Sequence, residues 1–382
     1  MISNKDTKFL KNLINKVGKT KTQKVNHYPL LEKGFTTEDI MRGVEVLLSR
    51  KITMSEITKK FEYNFSNFVG SKYSLMVNSG SSANLLAAFA LVNPKKKRRL
   101  KPGDKFIIPA ICWSTSLWPL IQCGLKPKFI DVNIDNYCLD ENLLKKDKQT
   151  KAIMNIHILG NSPNMDKLTA FAKSNNMFLI EDTCEALGSK FKSKHLGTFG
   201  DMGILSFNGN KTITTGGGGV ILVKNKSEAK FLKRLSTHAK VKTKYDHMHD
   251  QVGFNYRMSN LSAAVGCAQL ENINKIIKAK RKNFTDYYKI FKKYKDINII
   301  KEPPKSKINY WLITAVFENV SLRNKFIEAL NKKGFEFRYT WKPLHLLKIF
   351  KNCPSDNMDN SNRFYKHAVN LPSSPILNIK KS

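Results

Sequence analysis

Two residues in one stretch have the types needed for covalent carbonyl chemistry. From Asp182 to Gly219 the chain reads DTCEALGSKFKSKHLGTFGDMGILSFNGNKTITTGGGG. An apolar run, Met177 to Ile180, delivers the acidic pair Glu181 and Asp182, and a second one, Gly203 to Phe207, delivers a polar loop holding one lysine, Lys211. An amine reacts with a carbonyl only when the two are held together, and a carboxylate elsewhere in the pocket can hold the ring of a pyridine aldehyde. Asp182 and Lys211 are candidates for such a pair.

A third feature precedes them. The apolar run Tyr73 to Val77 enters Asn78-Ser79-Gly80-Ser81-Ser82 and then an Ala/Leu-rich segment. Free backbone N–H groups and hydroxyls would meet there at a helix N-terminus, which suits a phosphate. A serine-capped strand-to-helix turn explains the same residues, and this stretch alone does not choose. Pyridoxal phosphate asks a protein for a Schiff-base lysine, an acid at the ring nitrogen, a π surface and donors for its phosphate. Lys211, Asp182, Trp113 and Gly80-Ser81-Ser82 could supply these in turn.

The elements that must position these residues alternate. Strands are expected over 106–113, 126–132, 151–160, 177–181, 203–207 and 219–223, with helices over 114–123 and 165–175. That alternation predicts an α/β fold with a mostly parallel central sheet, flanked by helices, and ligands outside the carboxyl ends of the strands. Trp113, His157, Asp182, Ser206 and Lys211 all fall at or just past such ends. Upstream, Thr36 is the expected cap of a helix with Ile40, Val44, Leu47 and Leu48 as its apolar positions. A second helix, 55–69, places Phe61, Phe65 and Phe68 on one face. Beyond about residue 240 a long lysine-rich helix (262 to roughly 294), a strand at 311–317, a helix at 321–333 and a strand at 335–341 read as a smaller α+β domain. The resulting division is a basic extension over 1–25, a large domain over 26–250 and a small C-terminal domain over 251–382.

With 382 residues the chain has material for a sizeable core. No apolar run reaches the roughly eighteen residues of a membrane span. The basic N-terminus has no apolar stretch and no small-residue cleavage site, so a cytoplasmic protein is expected. Six cysteines lack CxxC spacing, which argues against zinc and for reduced, mostly buried thiols. The formal charge of +36 is dominated by lysine spread along the chain, including Lys95 to Arg99 and Lys275 to Lys282. No nucleic-acid-binding motif accompanies it, so no specific nucleic acid is expected, and the charge suits steering of an anionic small molecule.

These residues resemble the DegT/DnrJ/StrS sugar aminotransferases over about 28–377. The landmarks are NSGSSA (78–83), PAICWSTS (109–116), HILGN (157–161), EDTCEALGS (181–189), GTFGDMGILSFNGNKTITTGGGG (197–219), GFNYRMSNLSAA (253–264), WKPLH (341–345) and NLPSS (370–374). The resemblance implies a pyridoxal-phosphate-dependent transferase of fold type I. Lys211 matches the Schiff-base lysine that also shuttles a proton, and Asp182 the acid at the pyridine nitrogen. Trp113 matches the ring-stacker, and Gly80, Ser81, Ser82 and Ser206 match the phosphate seat. Glu185 falls near the cofactor's phenolic oxygen, and Asn255 matches an asparagine that reaches the phosphate of a neighbouring subunit, implying a homodimer with shared sites. His157, Arg257, Trp341 and His345 fall in motifs toward the sugar nucleotide.

Three departures from the family pattern stand out. Glu185 replaces the Gln or His of many relatives, and Gly217 replaces the acid of the usual TGEGG, as in enzymes that aminate UDP-linked 4-keto-6-deoxy sugars. The chain also ends soon after NLPSS, which implies either a trimmed small domain or a truncated chain. The first half looks much like the branch that dehydrates CDP-4-keto-6-deoxyhexose, in which histidine replaces the lysine. Lysine at 211 therefore implies transamination, with glutamate the expected donor and a nucleotide-linked 4-keto-6-deoxy sugar the acceptor, in surface-polysaccharide or glycoconjugate synthesis. The alternatives are a sugar 3-dehydratase and a non-catalytic, nucleic-acid-binding homologue.

Overall fold

The computed structural model describes residues 3–20, 28–31, 35–241 and 243–375. Of the basic extension expected over 1–25, residues 1–2 and 21–25 lie outside the described residues, while Asn4–Thr20 form a helix, α1. Thr36 caps α2 (Thr37–Ser49) in a reciprocal box with Asp39, which ends the helix's free N–H groups as the sequence predicts. Its buried face is not the expected one. Met41, Gly43 and Val46 point inward with Asp39, while Leu47 and Leu48 are 54% and 60% exposed. The reason is a close helix pair: Gly43 lies against Leu261 and Val265, so the inward face is the one that admits a neighbouring helix. Helix α3 (Glu56–Val69) buries Phe61 and Phe65 fully, and Gly70 ends it.

The large sheet has seven strands: β1 (Tyr73–Val77), β2 (Lys105–Pro109), β3 (Lys126–Ile130), β4 (Thr150–Ile156), β5 (Phe178–Asp182), β6 (Met202–Ser206) and β7 (Gly219–Val223). Their spatial order is β1-β7-β6-β5-β4-β2-β3, and only β7 runs against its neighbours. Buried on both faces, the strands read as near-continuous apolar runs, as a parallel sheet requires. Register sets the site: Ile156 pairs with Asp182, Asp182 with Ile204, Ser206 with Gly219, and Gly219 with Val77. Four chain segments therefore end side by side on one edge. Helix α4 (Gly80–Val92) starts from that edge. The helix expected over 114–123 is a 3₁₀ turn at Ser114–Ser116 followed by α5 (Trp118–Gln122), with Pro119 in its first turn. Helices α6 (Met165–Ser174) and α7 (Lys226–Leu235) complete the layers.

The long lysine-rich helix is two helices, α8 (Asn260–Glu271) and α9 (Ile273–Phe291). Asn272 leaves helical geometry at φ −99°, ψ 2°, and its side-chain amide donates back to the Ala268 carbonyl, ending α8. Beyond α9, β8 (Ile297–Ile299), β9 (Ile313–Phe317), β10 (Arg338–Tyr339) and β11 (Ala368–Leu371) form an antiparallel sheet in the order β8-β9-β11-β10. Helices α10 (Val320–Lys332) and α11 (Asp359–His367) accompany it. The strand expected over 335–341 is reduced to Arg338 and Tyr339.

Candidate active site

A cavity of about 490 Å³ opens at the strand edge described above. Its floor is the turn from β1 into α4. The Ser79 hydroxyl caps α4 by accepting the Ser82 N–H at 3.0 Å, and it also donates to the Ser82 hydroxyl at 2.9 Å. Ser82 is thus occupied by the cap, and the serines beside this turn that line the cavity are Ser79, Ser81 and Ser206. Ser82, expected as a phosphate contact, is engaged in the cap and does not line the cavity, where Ser79 stands instead. Two glycines make the cradle possible: a Cβ on Gly80 would lie 2.6 Å from Cβ of Ser206, and one on Gly219 would lie 2.4 Å from the Ser79 carbonyl. A helix N-terminus pressed so closely on two strand ends leaves its N–H groups facing the cavity, which suits an oxyanion. Gly219→Ala meets rigid backbone, so it is expected to lower stability by about 1–3 kcal/mol. Thermal melting and a cofactor-binding titration, with affinity falling about tenfold, check this.

Asp182 stands at the end of β5 and is 4% exposed. Its Oδ2 accepts from the Ser116 hydroxyl at 2.6 Å and from Asn84 Nδ2 at 3.1 Å, and its Oδ1 accepts the Cys184 N–H at 3.0 Å. Neither Asn84 nor Ser116 was singled out by the sequence. A polar residue inside an Ala/Leu-rich helix was the available signal for Asn84, and membership of the PAICWSTS motif was the signal for Ser116. Glu181, one residue earlier on the strand, faces away from the cavity. Burial pushes its carboxyl up, but His157 and the N–H groups of Gly200 and Gly197 outweigh this and hold it below the usual range. The acidic pair is therefore split between a strut and a site residue.

That strut overturns one expectation. His157 is fully buried, with Nε2 2.9 Å from Glu181 and Nδ1 3.1 Å from the Asn161 carbonyl. Both ring nitrogens are engaged, and His157 does not line the cavity, so it fastens the strand ends and does not touch substrate.

Lys211 lies on the loop after β6, opposite Asp182 in the same cavity. Its Nζ sits 4.4 Å from the ring centre of Trp311, a cation–π distance. Trp311 also donates its indole N–H to the Asn210 carbonyl at 2.8 Å and stacks on Trp341 at 7° between planes. Sequence reasoning missed Trp311, which lies in the bend just before β9 of the second sheet, 100 residues after Lys211. Trp113 lines the cavity with 55% of its surface exposed, free to cover a ring. Trp341, Arg338, Tyr339 and Asn370 line the far wall with Leu30 and Leu31. His345, expected on the sugar-nucleotide side, does not line it; its Nδ1 is buried without a partner, and burial pulls its imidazole below the usual value. Asn255 and Arg257 are exposed, bonded to each other at 3.0 Å, and outside this cavity.

Glu185 lines the cavity and accepts the Leu159 N–H at 2.6 Å. Burial pushes its carboxyl up to about 7, the Lys211 charge and the Leu159 N–H pull the other way, and the Asp182 charge adds to the rise. The folded protein therefore holds this proton more tightly than the unfolded chain. The contribution is full below the ordinary value of 4.5 and is lost as pH rises through about 7, a change of about 3 kcal/mol. Glu185→Gln is expected to flatten that slope, read from unfolding of the cofactor-free protein at pH 5 and pH 8. Cys184 also lines the cavity, but burial and the Asp182 charge push its thiol well up, so it remains protonated.

The residues present fit pyridoxal phosphate: a cradle that a Cβ would fill, a buried acceptor, an exposed aromatic face and one amine in one cavity. A model of the DegT/DnrJ/EryC1/StrS aminotransferase family matches residues 35–381. A GDP-4-keto-6-deoxy-D-mannose 3-dehydratase of Escherichia coli is 32% identical over 366 residues, covering 90% of this chain and 94% of that protein. A GDP-perosamine synthase of Vibrio cholerae is 32% identical over 323 residues, covering 83% and 86%. The solved E. coli GDP-4-keto-6-deoxy-D-mannose-3-dehydratase with bound hydrated pyridoxal phosphate superposes with a TM-score of 0.85 at 29% identity, covering 92% of this chain and 96% of that one. With the cavity so built and the match spanning most of its length, the chain belongs to the DegT/DnrJ/EryC1/StrS aminotransferase family.

Proposed function

We propose that this protein is a homodimeric, pyridoxal-phosphate-dependent aminotransferase that moves an amino group from glutamate to the keto carbon of a GDP-linked 4-keto-6-deoxy sugar, in cytoplasmic synthesis of surface polysaccharide. The observation that carries the reading is Lys211, an amine facing the same cavity as the triply hydrogen-bonded Asp182. When bound, the cofactor supplies an aldehyde for the amine and an electron sink for the carbanion. Lys211 holds it and moves a proton at the substrate carbon. Asp182, fixed in place by Asn84 and Ser116, would accept a hydrogen bond from the protonated ring nitrogen. Trp113 covers the ring face and sheds water from it, and Ser79, Ser81, Ser206 and the N–H groups of α4 hold the phosphate.

GDP is favoured over the UDP- and CDP-linked sugars suggested by the sequence because five relatives, matched over 82–90% of the chain, are named for GDP-linked sugars. A dimer is favoured because Asn255 and Arg257 are exposed, outside the cavity of their own chain, where a second copy could use them. The second reading, a 3-dehydratase, is supported by three relatives named as such. Lys211 weighs against it, since the dehydratase branch that the sequence resembles carries histidine there. Incubation with glutamate and the GDP-linked ketosugar tests the choice by the fate of the nitrogen: transamination leaves it on the sugar with the C3 hydroxyl retained, whereas 3-dehydration, a net two-electron reduction that also draws on glutamate, yields a 3-deoxy ketosugar and releases the nitrogen as ammonia.

A further inference from the structure

One strongly desolvated cation has no role in the site described above. Lys280, on α9, is 1% exposed, and its Nζ donates to the carbonyls of Trp311 at 3.0 Å and Ser373 at 2.8 Å. No acidic side chain among the described residues offsets its burial, and that burial pulls the amine down to about 7. The neighbouring Arg281 is spent elsewhere, on Glu302 and the Ile308 carbonyl. A neutral amine carries two hydrogens, enough for two carbonyls. A lysine is a costly way to satisfy them unless their placement matters.

Both carbonyls belong to segments that wall the active-site cavity. Trp311 is held at three points: its carbonyl by Lys280, its N–H by Asn309 Oδ1 at 2.9 Å, and its indole by the Asn210 carbonyl. Asn309 in turn donates to the carbonyl of Glu185, which lines the cavity, and to the hydroxyl of Thr212, the residue after Lys211. Ser373 donates its N–H to the Leu30 carbonyl at 2.8 Å, and Leu30 lines the cavity. Removing Lys280 frees one of the two anchors on the backbone of the tryptophan that faces Lys211.

We propose that Lys280 is a positioning residue for Lys211, acting through Trp311 by fixing the indole plane against which the reacting amine rests. The proposal depends on reading Lys211 as that amine. Its test is therefore read first on cofactor-free protein, where the reading does not enter.

Lys280→Met keeps length and apolar volume but donates nothing. Near-ultraviolet circular dichroism of the cofactor-free variant is expected to lose signal from the Trp311–Trp341 stack while far-ultraviolet dichroism is unchanged. In the loaded enzyme kcat is expected to fall about tenfold, with KM for glutamate moving less than twofold. A folded variant with wild-type indole dichroism and wild-type kcat overturns the proposal, as does an equal loss through KM alone. If Lys280→Met does not fold, Lys280→Gln, which retains amide N–H donors on a shorter side chain, carries the same readouts. Failure of both to fold overturns the proposal in favour of a purely structural lysine. If instead Lys211→Ala retains activity, the reading of Lys211 fails while the indole signal still reports on Lys280.

Discussion

Lys211→Ala is expected to fold as the wild type does and to lose transamination by at least about a thousandfold. The two halves of that expectation rest on different observations. The side chain makes a π contact with Trp311, and such a contact at a solvent-open cavity is worth only about 0.5–1 kcal/mol. Its loss should leave melting nearly unchanged. Chemically, no other amine among the described residues lines the cavity, the remaining cation there being the guanidinium of Arg338. Cys184, the one thiol in reach, is held protonated. Nothing present can replace the lysine as both anchor and proton carrier. Activity with glutamate and ketosugar, together with borohydride trapping and peptide mass spectrometry, checks the prediction. A cofactor adduct on residue 211 in the wild type alone is the expected result.

Asp182→Asn should cost about a hundredfold to ten-thousandfold in kcat with little change in stability. Three donors, from Asn84, Ser116 and the backbone of Cys184, converge on the two carboxylate oxygens. They orient a group that only accepts hydrogen bonds. An asparagine of the same shape must place its NH₂ either at the Oδ1 position, toward the cavity and the Cys184 N–H, or toward the Asn84 amide and Ser116 hydroxyl that donate to Asp182. The first orientation withdraws the acceptor that the ring nitrogen needs, and the second leaves a buried donor facing donors. Either way the charge that keeps the ring protonated is gone. A fall in kcat with thermal melting intact, measured on the same preparation, is the signature. A variant that retains wild-type kcat would move the acid's role elsewhere.

Much of the fold was legible because apolar runs of strand length alternate with helical segments, and the strands of the large sheet lie where that pattern places them. The exceptions have physical causes. The face of α2 was misread because Ile40, Leu47 and Leu48 are larger and more apolar than Gly43, whereas a closely packed helix selects the small residue. The break at Asn272 lies inside a lysine-rich pattern whose helical period continues on both sides. In the site, Lys211, Asp182, Trp113 and the serine turn were found because each follows a strand end. Asn84, Ser116 and Trp311 were missed because their roles arise from contacts across 31 to 101 positions in the chain, as between Asn84 and the Thr115 carbonyl or Trp311 and Asn210. His157 misled for the opposite reason: it also follows a strand end, but its ring points to Glu181 and the interior.

The central claim is that this cavity transfers nitrogen. The direct measurement is a reaction of the cofactor-loaded protein with ¹⁵N-glutamate and the GDP-linked 4-keto-6-deoxy sugar, with the sugar product examined by mass spectrometry and NMR. The account predicts a product that carries ¹⁵N on the former keto carbon and retains its neighbouring hydroxyl groups. A product free of ¹⁵N and lacking the hydroxyl at C3 would contradict it.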